Sequence, residues 1–204
     1  MGYILENDRS RRKGVLMISE GTARNLVVRA AASLFYARGI QAVGMDAVRA
    51  EAGVSLKRIY TLFPSKSDLV AAVLNHRRAQ WESGLEDAAK NCRTPQGKLL
   101  AIFDFLRSWV SEGDFRGCAF VNAFGELSGV SPDVAELSRN QKAAFREYVA
   151  ELVREAGAFQ ALTDYLVILA EGAQVIAAID GGVDAVDNAR SAAEIVIANA
   201  LGEL

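Results

Sequence analysis

Residues 42–66 read AVGMDAVRAEAGVSLKRIYTLFPSK. Met45, Val48 and Ala52 fall at i, i+3 and i+7, one apolar stripe, which predicts a helix from Met45 to Ala52. Gly53 follows at the C-cap, where a left-handed backbone is needed and glycine adopts it without penalty. Val54 can plug the corner, and Ser55 can accept the free N–H groups opening the next helix. That helix is short, Leu56 to Leu62, with Ile59 and Phe63 turned inward. Lys57, Arg58, Tyr60 and Thr61 are left pointing outward. An isolated Lys-Arg pair is usually a solvated face. Here the turn chemistry argues instead for a helix-turn-helix whose second helix enters the major groove of DNA. Lysine and arginine donate to guanine O6 and N7, while tyrosine and threonine hydroxyls suit phosphate oxygens.

Charge supports the same division. Residues 1–80 hold 13 Lys and Arg against 6 Asp and Glu, net +7, and residues 81–204 hold 10 against 19, net −9. A net charge of −2 therefore hides a basic head on an acidic body. Neutralising phosphates and releasing counterions supplies most sequence-independent affinity for DNA, so the head is the end that faces a polyanion.

Beyond this turn, Thr22 to Leu74 resembles the N-terminal domain of TetR-type transcriptional regulators. The resemblance rests on the helix Ala23–Arg38 with Ala30-Ala31 and Leu34-Phe35, then Gly39, Ala52-Gly53-Val54-Ser55, Ile59-Tyr60, Phe63-Pro64-Ser65-Lys66 and Leu69. It implies a three-helix DNA-binding head, a long connecting helix, and a helical body that dimerises and binds an effector. Carried over by position, it puts Ser55, Leu56, Lys57 and Arg58 at the groove, with Tyr60, Lys66 and Thr22 on phosphates. Val43-Gly44 stand where the family usually has a Thr or Ser that caps the helix and touches phosphate. Arg49 replaces a common Ala and can compensate as a cation. Lys57-Arg58 replace a common Gly-Thr, and Leu62 a common His.

The expected domains are a flexible basic arm over 1–19, the head over 20–80, and an effector-binding and dimerisation body over 81–204. The arm carries Arg9, Arg11, Arg12 and Lys13 and is either a plain tail or a minor-groove contact. Val15–Ile18 is too short for the apolar core of a signal peptide. Composition is 51% hydrophobic with 3 Pro, arguing for an all-α chain of about nine helices. The most apolar run, Tyr165–Ile179, contains Glu171 and Gln174 and falls short of the roughly 20 mainly apolar residues of a membrane span. Cys92 and Cys118 lack metal spacing or a disulfide framework. The expectation is a cytoplasmic protein without metal, cofactor or membrane partner.

Helix punctuation continues past the head. Ser65 and Asp68 open a long helix to about Lys90. Thr94-Pro95 and Ser131-Pro132 each pair an N-cap with proline at the first position. Further helices are expected over Cys118–Ser128, Ala158–Ile179 and from Asp184 to Leu201. Leu162, Leu166, Leu169, Ala173 and Ile176 form one stripe, and Val186, Ala189, Ala193, Val196 and Ala200 another. Either stripe can face its own core or a second chain; apolar residues on more than one side favour a homodimer. A two-fold dimer would set its recognition helices about 34–36 Å apart, matching a pseudo-palindromic operator.

The middle helices are aromatic. Phe103, Trp109, Phe124, Phe145 and Tyr148 are candidate walls of a small-molecule site, with Cys118, Asn122 and Glu126 as its polar groups. There is no HExxH, GxSxG, GxGxxG or Walker pattern, and a single histidine, His76, leaves little for catalysis. The expected function is a repressor released by a mostly apolar effector. The rival is a helical carrier or interaction protein that has lost DNA binding.

Overall fold

The computed structural model describes residues 18–202, so Arg9, Arg11, Arg12 and Lys13 of the expected arm lie outside it. Nine helices and no strand occur among the described residues: α1 Glu20–Arg38, α2 Met45–Ala52, α3 Leu56–Leu62, α4 Lys66–Ala89, α5 Pro95–Val110, α6 Ala119–Leu127, α7 Pro132–Glu155, α8 Leu162–Asp180 and α9 Asp184–Ala200.

Local chemistry sets most of these ends. The Ser19 hydroxyl accepts the Thr22 N–H at the start of α1. Ser65 and Asp68 complete a reciprocal capping box on α4, and Thr94 accepts the Gly97 N–H ahead of α5. Ser131 precedes Pro132 as expected but makes no side-chain cap bond. α8 starts at Leu162 instead of Ala158 because a Schellman motif intervenes. With Gly157 at φ 71°, Gly157 N–H bonds to Arg154 O and Ala158 N–H to Val153 O, and a short turn follows.

Two cores form. The first gathers Val27, Ala31, Phe35, Val48, Ile59, Phe63 and Leu69 from α1–α4, together with Phe120 and Ala123 of α6. The second joins Leu99, Ile102 and Phe103 of α5 to Phe145 and Val149 of α7, Leu162 and Leu166 of α8, and Val186, Ala193 and Ile197 of α9. α4 runs through residue 80, where the sequence suggested a boundary, and α6 belongs to the head's core as much as to the body. At Gly84 of α4 an added Cβ would stand 2.1 Å from the Phe105 ring, so glycine is what lets α5 lie this close.

α8 is long and apolar enough by composition to cross a membrane. Its inner face, however, is part of the second core, and Glu171 is ion-paired to Lys142 of α7.

Candidate nucleic-acid interface

The turn between α2 and α3 has the expected construction. Gly53 is left-handed (φ 63°, ψ 23°) and its N–H returns to Arg49 O. Val54 is buried in the corner beside Val48, Ile59 and Phe63. The Ser55 hydroxyl accepts the Arg58 N–H at 3.4 Å. Gly44 stands at the N-cap of α2 with no side-chain bond, so the cap anticipated as missing is missing.

On the outer face the expected residues are not equivalent. Ser55, Lys57, Tyr60 and Thr61 are exposed, while Leu56 and Arg58 are half-buried. The Lys57 ammonium has no hydrogen-bond or ion-pair partner among the described residues. The Arg58 guanidinium instead donates to Ile18 O at 2.6 Å and ties the incoming chain to α3. The Thr61 hydroxyl donates to Lys57 O, so its proton is used within its own helix. Arg49 is 3.3 Å from Asp46, an exposed pair that DNA could exchange for phosphate. Thr22 and Ser19 hydroxyls share a bond of 2.8 Å at the start of α1. Lys66 lies 5.9 Å over the Phe35 ring. Arg24 was not anticipated: its guanidinium covers the Phe63 ring at 4.4 Å and donates to Leu62 O, closing the far end of α3. No spacing rule links Arg24 to Leu62.

The body holds a narrow cavity of about 30 Å³, lined by Trp81, Trp109, Cys118, Phe120, Gln141, Lys142, Phe145, Glu171 and Gln174. Trp81 sits edge-on to Phe105 and Phe145 at 5.1 and 5.5 Å and 5.7 Å from Trp109. Lys142 Nζ donates to both Glu171 oxygens at 2.7 Å and to Cys118 Sγ at 3.2 Å. Burial works against the Lys142 ammonium, but Cys118 and Glu171 outweigh it and hold its pKa above the ordinary value. Trp81 Nε1 and Gln141 Oε1 are buried without a partner among the described residues. Of the anticipated ligand residues, Trp109, Cys118 and Phe145 meet here, and Tyr148 lines a neighbouring hollow with Trp81 and Phe145. Phe103 and Phe124 need correction, whereas Asn122 and Glu126 line a wider cleft between α1, α4 and α6. Phe103 is 1% exposed and belongs to the core. Phe124 is on the outer face of α6. Asn122 donates to Arg116 O. Glu126 accepts the Ile40 and Gln41 N–H groups, both at 3.0 Å, and so fastens α6 to the end of α1. Lys142 and Glu171 are 29 residues apart, and nothing in the sequence pairs them.

A second tie runs beside the first. The Tyr36 hydroxyl donates to Gly117 O and accepts the Arg116 N–H, each at 2.7 Å, with Arg77 stacked 4.7 Å over its ring. Burial pushes the Tyr36 pKa up, so the hydroxyl keeps its proton. Tyr36, Arg77 and Ala119 separate the inner cavity from a wider cleft of about 570 Å³ between α1, α4 and α6.

Comparison with known proteins bears on the head and the whole chain. Residues 27–73 match the family model described as bacterial regulatory proteins, tetR family. The chain is 27% identical to a TetR-family transcriptional regulator from Streptomyces coelicolor, with 89% of this chain and 97% of that one covered at a TM-score of 0.83. The head carries a tetR-family domain, and the chain as a whole shares the fold of TetR-family regulators. A TetR regulator from Chloroflexus aurantiacus, 21% identical with 87% and 95% covered at a TM-score of 0.78, shares the fold. The HTH-type transcriptional activator FasR of Mycolicibacterium smegmatis is 33% identical over 102 residues. That match spans 48% of this chain and 42% of the relative, under half its length.

In the body the anticipated self-association stripes are mostly turned inward. Leu162, Leu166, Ala173, Val186, Ala189 and Ala193 are buried in their own core, and Leu169, Val196 and Ala200 pack against it. The six buried residues follow the helical period because they fill the bundle, which corrects their assignment to an interface. Ile176 alone is half exposed. Tyr165, Ile168, Val175 and Ile179 of α8 and Ile195 of the adjacent α9 are likewise exposed apolar side chains.

Proposed function

We propose that the chain is a ligand-responsive, DNA-binding transcriptional regulator that acts as a homodimer on a pseudo-palindromic operator. The observation that carries this reading is the capped, basic α3, held on the outer face of a TetR-type head with Lys57 free at its first turn. Phosphate contacts from Thr22, Tyr60, Lys66 and Arg49 would position the head, and Ser55, Leu56 and Lys57 would meet base edges. Arg58 would act at one remove, by fixing the segment that leads into α1.

The exposed face around Ile168, Ile176, Ile179 and Ile195 is the surface that supports the dimer. Six large apolar side chains in one patch exceed the scattered singles of a monomer surface. The lining of the inner cavity supports the effector reading, since aromatic walls with a few polar groups are how small, mostly apolar molecules are held, but at about 30 Å³ it would have to widen to admit one. A ligand that prefers one arrangement of α4 and α6 would change operator affinity by its differential affinity for that arrangement. A cytoplasmic location accords with a reader of chromosomal DNA.

Repression by occluding a promoter is the first reading of the output. The activator named among the relatives supports the alternative, and a promoter–reporter fusion separates the two by the sign of the change when the regulator is deleted. The reading as a whole is tested by fragments flanking the protein's own gene. It expects specific retardation that weakens steeply as salt rises from 50 to 200 mM. Absence of any specific fragment would favour the helical carrier.

A further inference from the structure

We propose that Cys118 is a covalent modification site: its thiol adds to short electron-poor alkenes, enones or enals, and the adduct loosens the grip of α6 on the head. The first half stands on the geometry of the site; the second rests on the regulatory reading above.

Cys118 is the N-cap residue of α6 and is half-buried, with its side chain free of any capping bond. The Lys142 ammonium approaches its sulfur at 3.2 Å and the positive end of the α6 dipole lies behind it. Nucleophilic cysteines occupy such surroundings, partly exposed, at a helix start and beside a cation. Cys92 is the internal contrast: its sulfur bonds only to Ala88 O, at 3.7 Å, among the described residues.

A second observation points to the ligand. Gln141 is 5% exposed, yet its Oε1 has no partner, and neither has Trp81 Nε1. Both residues line the cavity that holds Cys118. An indole N–H wants an acceptor, which an enone carbonyl supplies. An unpaired amide oxygen wants a donor, which a hydroxyl on the same molecule supplies. A short hydroxylated enone or enal satisfies both.

The step balances without an oxidant or reductant. The thiol releases its proton to solvent, and sulfur forms a bond to the β-carbon as the carbon–carbon π pair moves toward the carbonyl. The resulting enolate takes a proton at the α-carbon, leaving a thioether and a saturated carbonyl. Lys142 balances the charge on sulfur, and the Trp81 N–H balances it on oxygen.

The consequence follows from volume. A cavity of about 30 Å³ holds roughly one water and no three- or four-carbon adduct. Gly117 is packed closely on α8, where an added Cβ would stand 3.2 Å from Ala178 Cβ. On this proposal the start of α6 is the wall that yields, drawing Gly117 O from Tyr36 and Glu126 from Ile40 and Gln41.

The test exposes the full chain to but-3-en-2-one and follows each cysteine by peptide mass spectrometry. Cys118 should react at least about tenfold faster than Cys92. Lys142→Met should erase most of that preference, and Glu171→Gln, which frees the ammonium for sulfur, should keep or raise it. Equal rates at the two cysteines, or a Lys142→Met chain that folds and reacts like wild type, overturn the modification site. Operator binding is then compared for alkylated wild type and alkylated Cys118→Ser. Loss in the first alone supports the regulatory half, and unchanged binding overturns it. If the unmodified chain binds no DNA, the proposed function falls and the regulatory half with it, while the modification site is still judged by mass alone.

Discussion

The Glu126 carboxylate on α6 accepts the N–H of Ile40 at 3.0 Å, joining positions 86 residues apart at the end of α1. The same carboxylate takes the Gln41 N–H, so one side chain satisfies two backbone donors released where α1 stops. Glu126→Ala should cost about 1.5–3 kcal/mol, the range for hydrogen bonds to a charged group. Denaturant melts measure this, and a loss under 0.5 kcal/mol would mean that water replaces the carboxylate without penalty.

Lys57 and Arg58 should separate experimentally. Lys57→Ala removes a side chain free to reach a base and should cost about 1–3 kcal/mol of operator affinity while relaxing preference at one position. Arg58→Ala releases the Ile18 carbonyl and should weaken binding more evenly across sequences. Competition binding against a set of single-base operator variants distinguishes the two profiles. Identical profiles would remove the distinction drawn between them.

Self-association should respond to the outward face of α8 and not to the stripe legible from periodicity. Ile168→Glu with Ile176→Glu should give a helical monomer, whereas Leu166→Glu, placed in the core, should unfold the chain. Sedimentation and far-ultraviolet circular dichroism report both. A double variant that still sediments as a dimer would move the interface elsewhere.

Gly84→Ala should be destabilising although alanine favours helix. The added methyl meets the Phe105 ring, and overpacking costs about 1–3 kcal/mol. A thermal melt at or above that of wild type would mean that α5 yields without loss.

His76 carries a pH signature. Partial burial, Arg77 and Arg29 lower its pKa from the ordinary 6.5. The unfolded chain then binds the proton more readily, so this contribution to stability is full above pH 6.5 and is lost as pH falls through the lower folded value. The stability difference between wild type and His76→Gln should be flat above pH 7 and should shrink on acidification. A difference independent of pH between 5 and 7 would contradict it.

The parts of this fold that sequence made legible are those with local causes. Gly53, Ser55, Ser65 with Asp68, and Thr94 with Pro95 each act within four residues, and each ends or begins a helix where its chemistry requires. The helix-turn-helix is one such local object, which is why α2 and α3 could be bounded before their packing was known. Periodicity was less informative about partners. Leu162, Leu166 and Ala173 share a face because they touch the same core, and the same period would have suited an interface. The site in the body depended on contacts with no local signature: Lys142 with Glu171 and Cys118, Tyr36 with Gly117, and Glu126 with Ile40. Sequence named Cys118 and Glu126 but had no means of saying that one meets an ammonium and the other a helix end.

The claim that α3 reads DNA is tested most directly by selecting bound sequences from random duplex DNA with wild type and Lys57→Ala in parallel. Wild type should enrich a two-fold symmetric motif with half-sites about one helical turn apart. Lys57→Ala, still folded and dimeric, should enrich a weaker motif that has lost base preference at one position of each half-site. No enrichment by wild type, or the same motif selected equally well by Lys57→Ala, would contradict it.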